Sequence, residues 1–239
     1  MSTKYFILSK SSDADTPNTT NDQIVYLGPR LHYILPQVNL EYYSKRGLFE
    51  SALIQWCKQF CRPDRVFLDI GAHTGTYALS LAPHCQQVHA FEPQRSTFYA
   101  LCGSIALSNL TNNIIAHNVG LGSDSQVGTK TLHIVSNDGG GSSIWEQSGL
   151  PILREEEIEI QTLDSMNLSN VGFIKMDVED NELDVLRGAQ QTFRVCGYPS
   201  FLFESNRENR PLFDYIENTM NYQIIPISGC ANMFLSTKR

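Results

Sequence analysis

Residues 67–75 read Phe67-Leu68-Asp69-Ile70-Gly71-Ala72-His73-Thr74-Gly75. An apolar run of strand type ends in a carboxylate, turns on glycine and opens into Thr76–Leu81, which has the pattern of a short helix. In open α/β sheets, ligands sit at the carboxyl edge of the strands. Glycine lets their atoms approach the backbone closely. The spacing Gly71-x-x-x-Gly75 is not the G-x-G-x-x-G of a pyrophosphate site. With Asp69 beside the turn it suits a ligand bearing an ammonium group, and S-adenosylmethionine carries one together with a sulfonium. An ordinary tight strand-to-helix turn uses the same residue types.

The next strand, QVHAFEP, ends in Glu92 and Pro93. Glu92 lies 21 residues beyond Gly71. An acidic residue about 20 positions on accepts both ribose hydroxyls of an adenosine. A surface glutamate at a strand end is the plainer reading. A third strand, NIIAHNVGL, ends at His117-Asn118-Val119-Gly120, which by order flanks an adenine.

In Phe173-Ile174-Lys175-Met176-Asp177-Val178-Glu179 the alternation of a strand puts Lys175 and Asp177 on one face. Charges on an apolar strand are costly unless paired, so a structural ion pair explains them. At the carboxyl edge Asp177 can also hold a donor or orient a hydroxyl. The strand FLFESN brings Glu204 to the same edge, where it either completes a carboxylate pair or caps a turn.

Around these segments, strands and helices alternate. Helices are predicted over Leu48–Phe60 (closed by Pro63), Ser96–Leu110, Glu182–Phe193 and Arg210–Thr219, and YQIIPI is the last strand. This predicts a parallel sheet with helices on both faces. Residues 129–162 form a β excursion around the loop SNDGGGSS, whose span Asn137–Ser143 either reaches over the site or is a plain hairpin tip. Residues 1–46 read as an N-terminal cap of strands and loops, with 11–22 a mobile polar loop, and 47–239 as one domain.

Composition narrows the options. Among 239 residues, 41% are hydrophobic and 18% charged, so one folded α/β core is affordable and global disorder is excluded. The net charge of −7 gives no long-range attraction for a polyanion. No apolar run spans a bilayer, and Met1–Lys10 lack a signal-peptide pattern, so the expectation is a cytoplasmic protein without a membrane partner. Cys57 and Cys61 lie one helical turn apart, but no second pair completes a tetrahedral site, so no metal is expected.

Several stretches together resemble the FkbM family of S-adenosylmethionine-dependent methyltransferases. They are GLFE at 47–50, DIGAHTG at 69–75, FEP at 91–93, SSI at 142–144, TLDS at 162–165, IKMDVEDNE at 174–182, VLRGA at 185–189 and FLFESN at 201–206. The resemblance covers about residues 47 to 206. The pair IKMDVE…VLRGA is its most specific part, since class I methyltransferases in general share only the glycine loop. It implies a Rossmann-like class I methyltransferase fold, with a mostly parallel seven-stranded sheet, S-adenosyl-L-methionine as cofactor, and O-methylation of a sugar, glycan or other small hydroxylated metabolite.

The resemblance places Asp69, Gly71 and Gly75 in the cofactor loop, Glu92 on the ribose and Asp177 at the transfer site. Glu50, Ala72, His73, Thr76, Pro93, Asn118, Val119 and Gly120 complete the expected cofactor set, and Asp177, Lys175 and Glu204 the expected catalytic set. Two positions depart from the family pattern. His73 stands where Asn is usual, and Asp180 where Gly is usual. Two rivals remain open: ribose 2′-O-methylation of RNA, against which the acidic balance argues, and a catalytically silent nucleoside-binding protein.

Overall fold

The computed structural model describes residues 4–11, 30–146, 150–230 and 232–239. Residues 12–22 of the expected mobile loop lie outside this set. The N-terminal part forms an antiparallel pair, β1 (Tyr5–Ser11) and β2 (Arg30–Pro36), followed by α1 (Leu40–Arg46) and α2 (Ser51–Cys57). The sequence reading placed only strands and loops before residue 46, so α1 is a correction. Gly47 ends it at φ +74°, a left-handed conformation that glycine adopts freely. The helix expected over Leu48–Phe60 is shorter, because Glu50 is left-handed and 58–60 tightens to a 3₁₀ turn.

The main sheet is built from β3 (Val66–Ile70), β4 (Gln87–Phe91) and β5 (Ile114–His117), with α3 (Thr76–Leu81) and α4 (Arg95–Leu107) as crossovers. Two short strands follow, β6 (Gly120–Leu121) and β7 (Gly128–Ile134), and then β8 (Arg154–Gln161). These three make a separate sheet of order β6-β8-β7, the excursion expected from sequence. The chain returns to the main sheet with β9 (Val171–Met176). It continues through α5 (Glu182–Arg187), α6 (Gln190–Val195), β10 (Ser200–Glu204), α7 (Arg210–Asp214), β11 (Tyr222–Pro226) and β12 (Met233–Lys238).

The main sheet has seven strands in the order β11-β12-β10-β9-β3-β4-β5. All are parallel except β12, which pairs antiparallel with both β10 and β11. The sequence reading stopped at β11 and missed β12, whose apolar run is only Met233-Phe234-Leu235. The single helix read over 182–193 is two. Gly188 packs so tightly on the Gly122 carbonyl that a Cβ would collide with it, and Asp164 caps the second helix through Gln191 N and Thr192 N at 2.9 and 2.7 Å.

Every residue of β3 is buried, as a strand covered on both faces requires. Phe67 packs with α2 and α3, while Leu68 and Ile70 face α5 and α6. The N-terminal pair is sutured onto α4: His32 N and Ile34 N both donate to serine hydroxyls, Ser108 and Ser104, at 2.8 Å. Among the described residues no helix is long and apolar enough to cross a membrane.

Candidate active site

A cavity of about 290 Å³ opens at the carboxyl ends of β3, β4 and β9. Its floor is the glycine loop. At Gly71, φ is +74° and a Cβ would overlap the Asp177 carbonyl oxygen, so only glycine lets the two strand ends come this close. Gly71 N and Ala72 N both donate to Phe91 O, at 3.0 and 2.9 Å, which ties the loop to β4. Ala72, His73 and Thr76 line the cavity. Gly75 does not; it starts α3 at φ +89°, where a Cβ would strike Leu79 and Leu101.

Asp69 also lies away from the cavity, although the sequence suggested that its carboxylate would meet an ammonium ligand. Asp69 lies one step short of the carboxyl edge under α3, where it is fully buried and its Oδ2 accepts from Ala78 N at 2.8 Å. Its Oδ1 makes no hydrogen bond and sits 4.0 Å from Lys175 Nζ. Burial raises its pKa to about 6 against the opposing pull of Lys175.

Glu92 lines the cavity at the end of β4. Its Oε1 accepts from Gln94 N at 2.9 Å and Thr97 Oγ1 at 2.8 Å, and its Oε2 from His73 N at 2.8 Å. Burial pushes this carboxyl upward, while His73 and the hydrogen bonds hold it down. Pro93, Val119 and Gly120 continue the wall. Asn118 stands behind it, donating to Glu92 O at 2.9 Å and Pro93 O at 3.0 Å. The sequence reading missed the apolar end, formed by Leu132, Ile144, Ile158 and Ile160 of the excursion. The alternation of Leu132, Ile158 and Ile160 along β7 and β8 was visible, but not that the small sheet meets the segment after β4, where Arg95 N donates to Glu156 and Arg154 to Ser96.

Across the cavity, Lys175 is 4% exposed. Its Nζ donates to Gly71 O at 3.0 Å and to Asp177 Oδ2 at 3.3 Å, and lies 5.3 Å from the centre of the Tyr77 ring. Burial by itself lowers the ammonium's pKa, but the Asp177 and Asp69 carboxylates outweigh it and hold the group above its usual range. The side chain of Asp177 keeps 30% exposure and lines the cavity.

Glu204 ends the neighbouring strand just outside the lining, with its carboxyl facing that of Asp177. Its pKa rises to about 7 through burial first, then through the charges of Asp177 and Glu179. Glu50 lines the same end and accepts from the Tyr77 hydroxyl at 2.8 Å. Tyr77, Asp138 and Glu179 also line the cavity and were not singled out from sequence as site residues.

The loop 136–143 crosses the cavity as a strap, one of the two readings its composition left open. His73 Nε2 lies 2.6 Å from Asp138 O, so the ring carries its proton on Nε2. Ser142 Oγ donates to Gln94 Oε1 at 3.0 Å, and Gly141 N to Glu179 Oε1 at 2.9 Å.

Residues 69–223 match the model of the methyltransferase FkbM domain. The chain belongs to this family. Its cofactor is S-adenosylmethionine. Methyltransferase 1 of Beauveria bassiana (strain ARSEF 2860) is 28% identical over 148 residues, covering 53% of this chain and 59% of that protein. The crystal structure of methyltransferase FkbM from Methylobacillus flagellatus KT superposes with a TM-score of 0.52 at 20% identity, over 79% of this chain and 46% of that one. Precorrin-6y C5,15-methyltransferase from Geobacter metallireducens GS-15 gives 0.51 at 8% identity, over 82% and 91%. This chain thus spans 59% and 46% of the lengths of the first two relatives. The structural matches identify the fold as Rossmann-like, of the class I methyltransferase type.

The cavity fits the cofactor on its own evidence. Gly71 and Ala72 put little more than backbone on the cavity floor. Glu92 Oε2 accepts only one hydrogen bond here and has capacity for a hydroxyl. The four aliphatic side chains of the excursion offer an apolar slot of the kind a purine fills.

Proposed function

We propose that the chain transfers a methyl group from S-adenosylmethionine to a hydroxyl oxygen of a sugar, glycan or similar small acceptor. The observation that carries this reading is the pair Asp177 and Glu204 at the ends of β9 and β10, beside the glycine loop. The bound cofactor supplies an already activated methyl on a sulfonium. The protein's task is then alignment and removal of one proton. Asp177 is the member that lines the cavity, held by Lys175 at 3.3 Å, and is assigned to orient the acceptor hydroxyl and receive its proton. Glu204, whose pKa is raised to about 7, is assigned to take that proton on from Asp177. Lys175 is assigned to fix Asp177 rather than to touch the acceptor, because it is buried and already donates twice.

Glu92 is assigned to the ribose, with Gly71, Ala72, His73 and Thr76 on the methionine side and Pro93, Val119 and Gly120 beside the base. The strap supplies amides and hydroxyls suited to a polyol. A phosphodiester acceptor would face Glu50, Asp138, Asp177 and Glu179 around one cavity, which disfavours RNA. No step in this scheme uses a divalent cation, so EDTA should leave turnover intact. The test is calorimetry with S-adenosylhomocysteine, then donor consumption with a panel of glycosides and with RNA. No binding of S-adenosylhomocysteine would remove the reading, and turnover with RNA alone would replace the acceptor.

A further inference from the structure

The strap makes contacts at both ends of the cavity, and one residue sits where it meets the acceptor side. On the donor side it is held by His73, in the glycine loop, and by Gln94, whose backbone N–H also supports Glu92. On the other side both contacts go to Glu179. The carboxylate accepts from Gly141 N at 2.9 Å, and the backbone carbonyl accepts from Ser143 Oγ at 2.8 Å. Glu179 lies two residues beyond Asp177, on the same turn out of β9.

That turn is strained. Glu179 and Asp180 have φ of +53° and +72°, two consecutive left-handed residues that are not glycine. Such conformations persist only where the surroundings enforce them. Here they aim the Glu179 carboxylate at the strap. The Asp138 end is equally fixed, by Asn39 Nδ2 at 2.8 Å and by Ser136 Oγ at 2.6 Å.

We propose that Glu179 is a positioning residue: it anchors the strap 136–143 to the turn that carries Asp177, so that filling the donor site tightens the acceptor side. This rests on the donor reading above. A donor that orders His73, Glu92 and Gln94 stabilises one end of the strap. Through Glu179 the other end is then fixed against the turn of Asp177. Coupling of this kind is a free energy shared between two sites.

Hydrogen exchange with S-adenosylhomocysteine as the probe tests it on the wild type, Glu179→Ala and Glu179→Gln. In the wild type the probe should slow exchange of the strap amides. In Glu179→Ala those amides should exchange at least about tenfold faster, the scale of one lost hydrogen bond to a charged acceptor, with the slowing by the probe reduced. Amides of β3 and β9 should keep wild-type protection. Glu179→Gln retains an acceptor oxygen for Gly141 N–H and should restore both the protection and the response.

Wild-type strap protection in Glu179→Ala, failure of the Gln variant to restore it, or equal loss of protection in β3 and β9 would each overturn the proposal. A wild-type protein that binds the probe with the strap unchanged also overturns it but leaves the donor reading standing. Absence of probe binding removes both.

Discussion

Asp69 and Asp177 end adjacent parallel strands, on the same face, on either side of one lysine. Lys175 Nζ lies 4.0 Å from the first and 3.3 Å from the second. Their environments nonetheless differ. The side chain of Asp69 is 1% exposed and serves α3, while that of Asp177 is 30% exposed and opens onto the cavity. The parallel register sets Asp69 beside Lys175, so Asp177 reaches one step of alternation further along the strand direction. That step separates a structural carboxylate from one that can meet a substrate.

The largest effect expected from this contrast is in turnover. Asp177→Asn keeps the shape but removes the proton acceptor, and should lower turnover by about 10²–10⁴, with S-adenosylhomocysteine affinity close to normal. Asp69→Ala should show the opposite balance. Ala78 N loses its acceptor and Lys175 one of its two carboxylates, so the melting temperature falls, by roughly 1–3 kcal/mol of stability for the buried amide alone, and the remaining folded protein still turns over. Parallel turnover and melting measurements decide it. Equal losses of turnover in both variants would erase the distinction.

The second effect concerns the donor. Glu92→Ala should weaken S-adenosylhomocysteine binding at least about tenfold, since a hydrogen bond to a charged group is worth about 1.5–3 kcal/mol and 1.4 kcal/mol is tenfold. The same carboxylate also holds His73 N and Gln94 N, so the variant loses loop order as well as a ribose contact. Unchanged affinity by calorimetry would move the ribose elsewhere.

The third concerns pH. Glu204 must be deprotonated to take a proton onward, and its pKa stands at about 7. Turnover should therefore rise with pH on the acid side, level off above about 7, and fall up to about tenfold for each unit below it. Because Asp177 and Glu204 interact, the apparent value belongs to the pair. In Glu204→Gln this acid limb should shift or vanish. An unchanged profile would leave Asp177 acting alone.

The smallest concerns the strained turn. Asp180→Gly relieves a left-handed conformation at φ +72°, against a gain in unfolded-chain entropy. A net stabilisation of about 0.5–1 kcal/mol by thermal unfolding is expected. A loss of stability would show that the Asp180 side chain supports the turn.

Both departures from the family pattern fall on such positions, since His73 has φ +51°. Asn and Gly, the usual residues there, are the ones that enter this region most readily. The family resemblance marked these two residues as departures. Only the backbone angles show that each stands in a left-handed turn.

Much of the main sheet was legible because each core strand is a mostly apolar run with polar residues at or just past its carboxyl end. VFLDI, QVHAF, VGFIKM and SFLFE all became strands, with Asp69, Glu92, Asp177 and Glu204 at or beside their carboxyl ends. Helix α1 and strand β12 were not legible: α1 has only seven residues, and β12 has only a three-residue apolar run and is held in place by pairing with β10 and β11.

By itself the sequence determined the alternating architecture, the glycine turn at Gly71, and the shared face of Lys175 and Asp177. These depend on local periodicity and on glycine's backbone freedom, which neighbouring residues carry. The tertiary structure alone decided that Asp69 is buried while Asp177 is open. It also decided that the excursion forms the apolar end of the cavity, and that the strap is held between His73 and Glu179. Burial and long-range hydrogen bonds depend on which distant segments meet, and no local spacing encodes that.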